Sequence, residues 1–140
     1  MSTTHIPASL RRLVRERSKD RCEYCLAPES HSHTAHWIDH VVAEKHGGQT
    51  DSANLANSCI RCNQHKGSDL SSIDPDSGEI VRLFNPRIDL WADHFKLVAE
   101  AIQPLTPSGR TTVRLLRLNQ PERIQERELM IAAGIWIAST

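Results

Sequence analysis

The feature that most constrains this chain is its cysteine pattern. Cys22 and Cys25 form one Cys-x-x-Cys pair, Cys59 and Cys62 form a second, and no cysteine is left over. Two thiolates two residues apart in a tight knuckle can grip one tetrahedral Zn²⁺, and two knuckles fill its shell without leaving a position for water. Such a site is structural, and metal bound there contributes folding free energy to the segment it closes. Disulfides would use the same residues but belong to an oxidising compartment. The residues ahead of Arg11 and Arg12 hold no apolar stretch of signal-peptide length. Nor does any apolar run approach the roughly 20 residues of a membrane helix. The expectation is a cytoplasmic protein outside the membrane, with structural Zn²⁺ on the four cysteines.

Thirty-three residues separate Cys25 from Cys59, more than the roughly 15–20 of a simple zinc ribbon, so a sizeable unit sits between the knuckles. It opens with His36-Trp37-Ile38-Asp39-His40-Val41-Val42, whose β-branched and aromatic residues predict a short strand. Gly47-Gly48 supplies a turn, and Leu55 to Cys59 reads as the return strand. Arg61 to Lys66, ended by Gly67, reads as one or two turns of helix. The order is strand, loop, strand, helix.

At this point the sequence resembles the HNH endonuclease family. The residues that carry the likeness are Asp39-His40, Gly47-Gly48, Asn54-Leu55 and Cys59-Ile60-Arg61-Cys62-Asn63-Gln64-His65-Lys66-Gly67. His40, Asn54 and Asn63 fall at the three signature positions, 14 and 9 residues apart. Further likeness lies in Cys22-Glu23-Tyr24-Cys25, Leu83-Phe84-Asn85-Pro86-Arg87, Trp91, His94-Phe95 and Thr106 to Thr111, which look like the flanks of compact, stand-alone bacterial members. One departure is Ala43, where many members carry proline. The resemblance implies an α+β fold: a ββα-metal (His-Me finger) motif stapled by a four-cysteine zinc site, with flanking helices and a small extra β element.

It also implies metal-dependent hydrolysis of phosphodiester bonds in DNA. His40 is the expected general base, since an imidazole can take a proton from water at neutral pH. Asp39 and Asn63 would give oxygen ligands to a divalent cation, and such hard donors favour Mg²⁺ or Mn²⁺. An ideal strand sends Asp39 and His40 to opposite faces, so both can serve one site only if the strand twists or ends there. Asn54 is expected to hold the loop carrying His40 by side-chain to backbone hydrogen bonds, although a turn asparagine does this without any catalytic consequence. Asn63 has an alternative as a helix cap. Arg61 and Lys66 flank the site as candidate phosphate contacts. His65, about 200° around the helix from Asn63, should face away. His31 and His33 read as loop residues, His36 shares strand parity with His40, and Glu44 and His46 read as turn or surface residues beside Lys45.

With 140 residues, 39% apolar and 24% charged, the chain suits one globular domain over 1–140: a basic helix over 1–21, the zinc-knuckle and ββα core over 22–67, and an extension over 68–140. Seventeen basic residues balance seventeen acidic ones, which disfavours a surface that grips nucleic acid all over. Residues 1–21 nevertheless carry six basic residues against Glu16 and Asp20, whereas residues 69–79 carry Asp69, Asp74, Asp76 and Glu79 unopposed. Leu10, Leu13 and Val14 recur at helical spacing and predict a docking helix with a basic outer face. Asp74 to Gly78 reads as a turn into a strand over Glu79 to Phe84. Ile88, Trp91, Ala92 and Phe95 read as the apolar face of a short helix, with Trp91 in the core. Residues 96–105 fit strand and helix alike. Thr106-Pro107 starts a helix, and Asn119 and Glu122 open a last one that Gly134 ends. Arginines on these two helices would extend the basic surface.

The first alternative to a nuclease is a non-cleaving zinc-knuckle module that binds nucleic acid, and the second is a zinc-stapled protein-interaction module. A homodimer would give two identical sites, one for each DNA strand.

Overall fold

The computed structural model describes residues 4–32 and 34–136. His33 lies outside them. The first element is α1 (Ala8–Ser18), followed by β1 (Trp37–His40), β2 (Leu55–Ser58) and α2 (Ile60–Lys66). After these come β3 (Ser71–Ile73), β4 (Ile80–Arg82), α3 (Trp91–His94), β5 (Phe95–Val98), β6 (Ala101–Pro104), α4 (Pro107–Leu115) and α5 (Pro121–Ala132). Among the described residues each strand pairs antiparallel with one neighbour, giving three two-stranded hairpins, β1–β2, β3–β4 and β5–β6. The fold is α+β. Hairpins this small are at best marginal alone, so helices and the cysteine knuckles must cover them.

The ββα unit stands as the sequence predicts. In β1–β2, Asp39 pairs with Ala56 and His40 with Leu55. The chain then turns into α2, where the Cys59 sulfur accepts from the Cys62 N–H at 3.4 Å and caps the helix. Asn63 lies inside the helix and does not cap it. Gly67 ends α2 at φ +52, a backbone region that side chains with a Cβ rarely adopt.

One buried apolar cluster runs from Cys22 to Trp136 and takes in Tyr24, Val41, Phe84, Trp91, Phe95, Ile102, Leu116 and Leu118. Trp91 belongs to it, and its indole N–H donates to the Tyr24 carbonyl at 2.9 Å. A smaller cluster of Ile6, Val14 and Leu55 docks α1 on β2. Leu10 packs against it, but Leu13 points outward at 42% exposure. Part of the basic face of α1 is tied to the protein's own groups: Arg17 donates to the Leu55 carbonyl, and Arg15 lies 3.9 Å from Glu29.

The extension departs from the sequence reading in several places. Ser71–Ile73 is a strand, β3, where the sequence suggests only an acidic loop, and residues 95–104 form the β5–β6 hairpin. The predicted apolar helix face over 88–95 is corrected. Arg82 holds Asp89 through two 2.8 Å bonds, and Asp89 accepts from the Asn85 N–H, so 85–89 closes as a turn. Ile88 is left 72% exposed and Phe95 opens β5.

The acidic loop is opposed after all. Arg110 reaches back from α4 to Asp74 at 3.0 and 2.9 Å and to Asp76 at 3.1 Å. The guanidinium hydrogen bonds hold the Asp74 carboxyl well below its usual range. Thr106 caps α4 by accepting from the Gly109 N–H at 3.0 Å. The arginines of α4 and α5 do not simply extend a basic surface: Arg110 is committed to Asp74, and Arg123 and Arg127 are buried at 5% and 2% exposure.

Candidate active site and zinc centre

The four cysteine sulfurs are buried and lie within 4.8 Å of one another. None is paired in a disulfide. The Cys25 and Cys62 N–H groups point at the sulfurs of Cys22 and Cys59, at 3.5 and 3.4 Å. Burial pushes the Cys22 and Cys62 thiols up, whereas hydrogen bonds from Cys22, Cys59 and Cys62 draw Cys25 well below the usual thiol value. Arg123 of α5 donates to the Cys62 sulfur at 3.1 Å and sits 3.8 Å from that of Cys59. Burial works against its charge, but the sulfurs of Cys62, Cys25 and Cys59 outweigh that and push its pKa up. Four thiolates around Zn²⁺ leave two negative charges in excess, and a buried guanidinium on two of the sulfurs is a fitting counter-charge. The cluster fits a structural zinc.

One turn further along α5, Arg127 donates to the carbonyls of Glu100 and Leu118 at 2.7 and 2.8 Å and lies 5.3 Å from the Trp136 ring. These two arginines stitch the last helix to the zinc end of the core. Sequence reading missed them because nothing local to Arg123 or Arg127 distinguishes them from surface arginines.

A cleft of about 570 Å³ opens beside the ββα unit, and Asp39, His40 and Asn63 all line it. His36, Arg11 and Lys45 line it too. β1 ends at His40, and the end of the strand is the condition under which adjacent residues can share a site. His40 is buried at 7% exposure, with Nε2 2.9 Å from the Thr50 hydroxyl.

Asn54 laces the loop between β1 and β2. Its Oδ1 accepts from the Val42 N–H, and its Nδ2 donates to the carbonyls of Val42 and Gln49, all at 2.9 Å. Gly48 passes so close that a Cβ there would sit 1.7 Å from the Val42 oxygen. Ala43 stands at φ −62°, the value a proline would impose, and its carbonyl accepts from His46 and Gly48. The loop thus keeps a proline-like shape without the proline. Glu44–His46 forms a 3-10 turn, and the Thr4 hydroxyl donates to Glu44 at 2.6 Å.

Asp39 is 6% exposed, and its Oδ2 accepts from the Tyr24 hydroxyl at 2.8 Å and from the Lys66 ammonium at 3.1 Å. Burial raises the Asp39 carboxyl, while Lys66 and Tyr24 pull it back. Burial and the neighbouring Asp39 push the Tyr24 phenol well up. Tyr24 was visible within the first knuckle, but its partner across the fold was not.

Two sequence expectations for substrate contact are corrected. Lys66 is 3% exposed and also donates to the Val41 and His40 carbonyls at 3.1 and 3.5 Å, so it supports Asp39 from inside instead of facing phosphate. Arg61 is turned away into a bidentate pair with Glu126, at 3.0 and 2.8 Å, and borders a separate pocket near Cys25 and Trp136. His65 is not among the cleft residues. Arg117, Arg123 and Arg61 lie near it and, after burial, lower its pKa.

This pairing of a thiolate-stapled hairpin and helix with an Asp-His-Asn cleft has a counterpart among known proteins. Residues 22–69 match the family described as HNH endonuclease, and this segment is an HNH endonuclease domain. The family implies a nucleic-acid substrate. A curated protein similar to the chain is Septu protein PtuB of Bacillus thuringiensis, 27% identical over 118 residues, which cover 83% of this chain and 43% of that protein. The match thus spans less than half of the relative's length. No solved structure matches the chain significantly. Among the described residues, no helix is long and apolar enough to cross a membrane.

Proposed function

We propose that this chain is a metal-dependent endonuclease that hydrolyses phosphodiester bonds in DNA. The observation that carries the reading is the convergence of Asp39, His40 and Asn63 on one cleft. His40 acts as general base and takes a proton from the attacking water. Asp39 and Asn63 offer oxygen donors suited to Mg²⁺ or Mn²⁺, with Asp39 kept in place by Tyr24 and Lys66. When bound there, a hard divalent cation supplies Lewis-acid stabilisation of the phosphate and leaving oxygens. Asn54 holds the loop over the base. Arg11 of α1 and Lys45 are cleft residues of the right charge to meet DNA phosphates. The likeness to Septu protein PtuB supports reading the chain as a PtuB-like protein. A reducing, cytoplasmic compartment suits four unpaired cysteines that hold zinc.

The test is supercoiled plasmid incubated with purified protein and Mg²⁺ or Mn²⁺, beside His40→Ala and a chelator control. Conversion to nicked or linear DNA by the wild type alone supports the reading. No conversion by a zinc-loaded, folded protein that still binds DNA would instead favour a non-cleaving zinc-knuckle module.

A further inference from the structure

We infer that Thr50 is a positioning residue for the base: its hydroxyl accepts the Nε2–H of His40 and so leaves Nδ1 as the nitrogen that takes the proton. The inference rests on reading His40 as the general base. A neutral imidazole carries its proton on one nitrogen and accepts on the other; a hydroxyl can meet either form, but only the form with the proton on Nε2 leaves Nδ1 free to take one. The only side-chain partner of the His40 ring among the described residues is the Thr50 hydroxyl, 2.9 Å from Nε2. The His40 side chain is largely shielded from water, so its Nε2–H needs an acceptor within the protein. Thr50 Oγ1 keeps that one bond before and after the transfer, and the ring need not turn when Nδ1 gains its proton.

The loop is built to keep that hydroxyl in place. His40 and Thr50 lie ten residues apart, and Asn54 ties the backbone just after the one and just before the other. It bonds both polar groups of Val42 and the carbonyl of Gln49. The Asn54 carbonyl also accepts from the Val41 N–H at 2.9 Å. Gly48 lets the two stretches approach more closely than any side chain allows. Asn54 therefore acts on His40 through Thr50, and a loop of the same shape without a hydroxyl at position 50 would lose the effect. Valine has nearly the shape of threonine and cannot accept a hydrogen bond, whereas serine can.

The experiment compares wild type, Thr50→Val and Thr50→Ser, each zinc-loaded and labelled with ¹⁵N-histidine, at about pH 8, where an ordinary imidazole is neutral. Long-range ¹H–¹⁵N correlation reports which His40 nitrogen carries the proton, with tryptophan indole shifts as the check on fold. Plasmid cleavage with Mn²⁺ is measured in parallel. In wild type and Thr50→Ser, His40 should be protonated on Nε2. Thr50→Val should lose that preference and drop roughly 10- to 100-fold in kcat, part of what a positioned base contributes, with little change in KM for DNA. Wild-type His40 protonated on Nδ1, or Thr50→Val retaining both the Nε2–H form and the rate, would overturn the inference. If the wild type does not cleave DNA at all, the base assignment falls, and the NMR comparison still decides whether Thr50 sets the proton's place.

Discussion

Replacing Lys66 by methionine probes the support beneath Asp39. The Lys66 ammonium and the Asp39 carboxylate are 3.1 Å apart at 3% and 6% exposure. At an effective dielectric constant near 20 their attraction is about 5 kcal/mol before either charge's loss of hydration is counted. Much of that is offset by desolvation, but removing one partner strands the other, and such a break typically costs about 3–5 kcal/mol. Lys66→Met also frees the Val41 carbonyl, which accepts from the ammonium at 3.1 Å. We expect a loss of about 4 kcal/mol, or roughly 14 °C in Tm for a chain of this size. Asp39→Asn alone leaves the ammonium buried without its counter-charge and should cost a similar amount. The double variant should recover about 2 kcal/mol or more of the summed loss, because neither charge is then stranded.

pH supplies a second readout. Burial already raises the Asp39 carboxyl above its ordinary 3.8, and without Lys66 it climbs further. A carboxyl raised in the folded state favours the fold below the unfolded value and loses that advantage as pH rises through the folded one. The Lys66→Met deficit should therefore shrink as pH falls and Asp39 becomes neutral. The assay is guanidinium unfolding at fixed free zinc, followed by circular dichroism, across the four-member cycle. Losses additive within about 0.5 kcal/mol, or a deficit that does not change with pH, would refute the account of a coupled buried pair.

His36 is 4% exposed, its Nδ1 lies 3.3 Å from the Asn57 amide and its Nε2 is buried without a hydrogen-bond partner among the described residues, so burial lowers its pKa below 6.5. Its stabilising contribution is complete above 6.5 and is lost as pH falls below that value; His36→Gln should flatten the decline in Tm between about pH 7 and 5. Gly48→Ala should cost about 3 kcal/mol and abolish cleavage, since the new Cβ would meet the Val42 oxygen at 1.7 Å; a variant with wild-type Tm would show that the loop yields freely. Stripping zinc with a strong chelator should deprotect the amides of β1, β2 and α2 together in hydrogen exchange, and unchanged protection there would remove zinc from the folding free energy.

How much of this was legible beforehand follows from how far each interaction reaches along the chain. The knuckles, β1, β2, α2 and the cleft trio lie within 45 residues, Cys22 to Lys66, and are written in local punctuation: paired cysteines, two glycines, an asparagine before an apolar run. The caps at Thr106 and Gly67 are equally local. Residues 96–105 stayed open between strand and helix because the hairpin they belong to turns at Ala99, φ +53, with no glycine or asparagine to announce it. β3 is Ser-Ser-Ile, with no alternation to count. Ile88 looked like a core residue because its periodicity is right, and only the Arg82–Asp89 pair, formed in three dimensions, turns it out to solvent. Lys66 and Arg123 were misjudged for one reason: a charged side chain looks solvated until its partner, 27 residues away for Asp39 and 61 for Cys62, is brought beside it.

The reach from Arg123 to Cys62 has a consequence for how the molecule is made. A ribosome releases both knuckles well before the last helix, so a nascent chain can capture its metal long before the guanidinium that balances the thiolates exists in folded form. Completion of α5 then acts as a later seal on the zinc ion that the knuckles would already hold, and a chain cut short before Pro121 keeps every ligand but lacks the seal. The rate at which zinc exchanges out of such a shortened chain, set against the 140-residue one, measures how far a firm hold on the metal waits for α5 to be made.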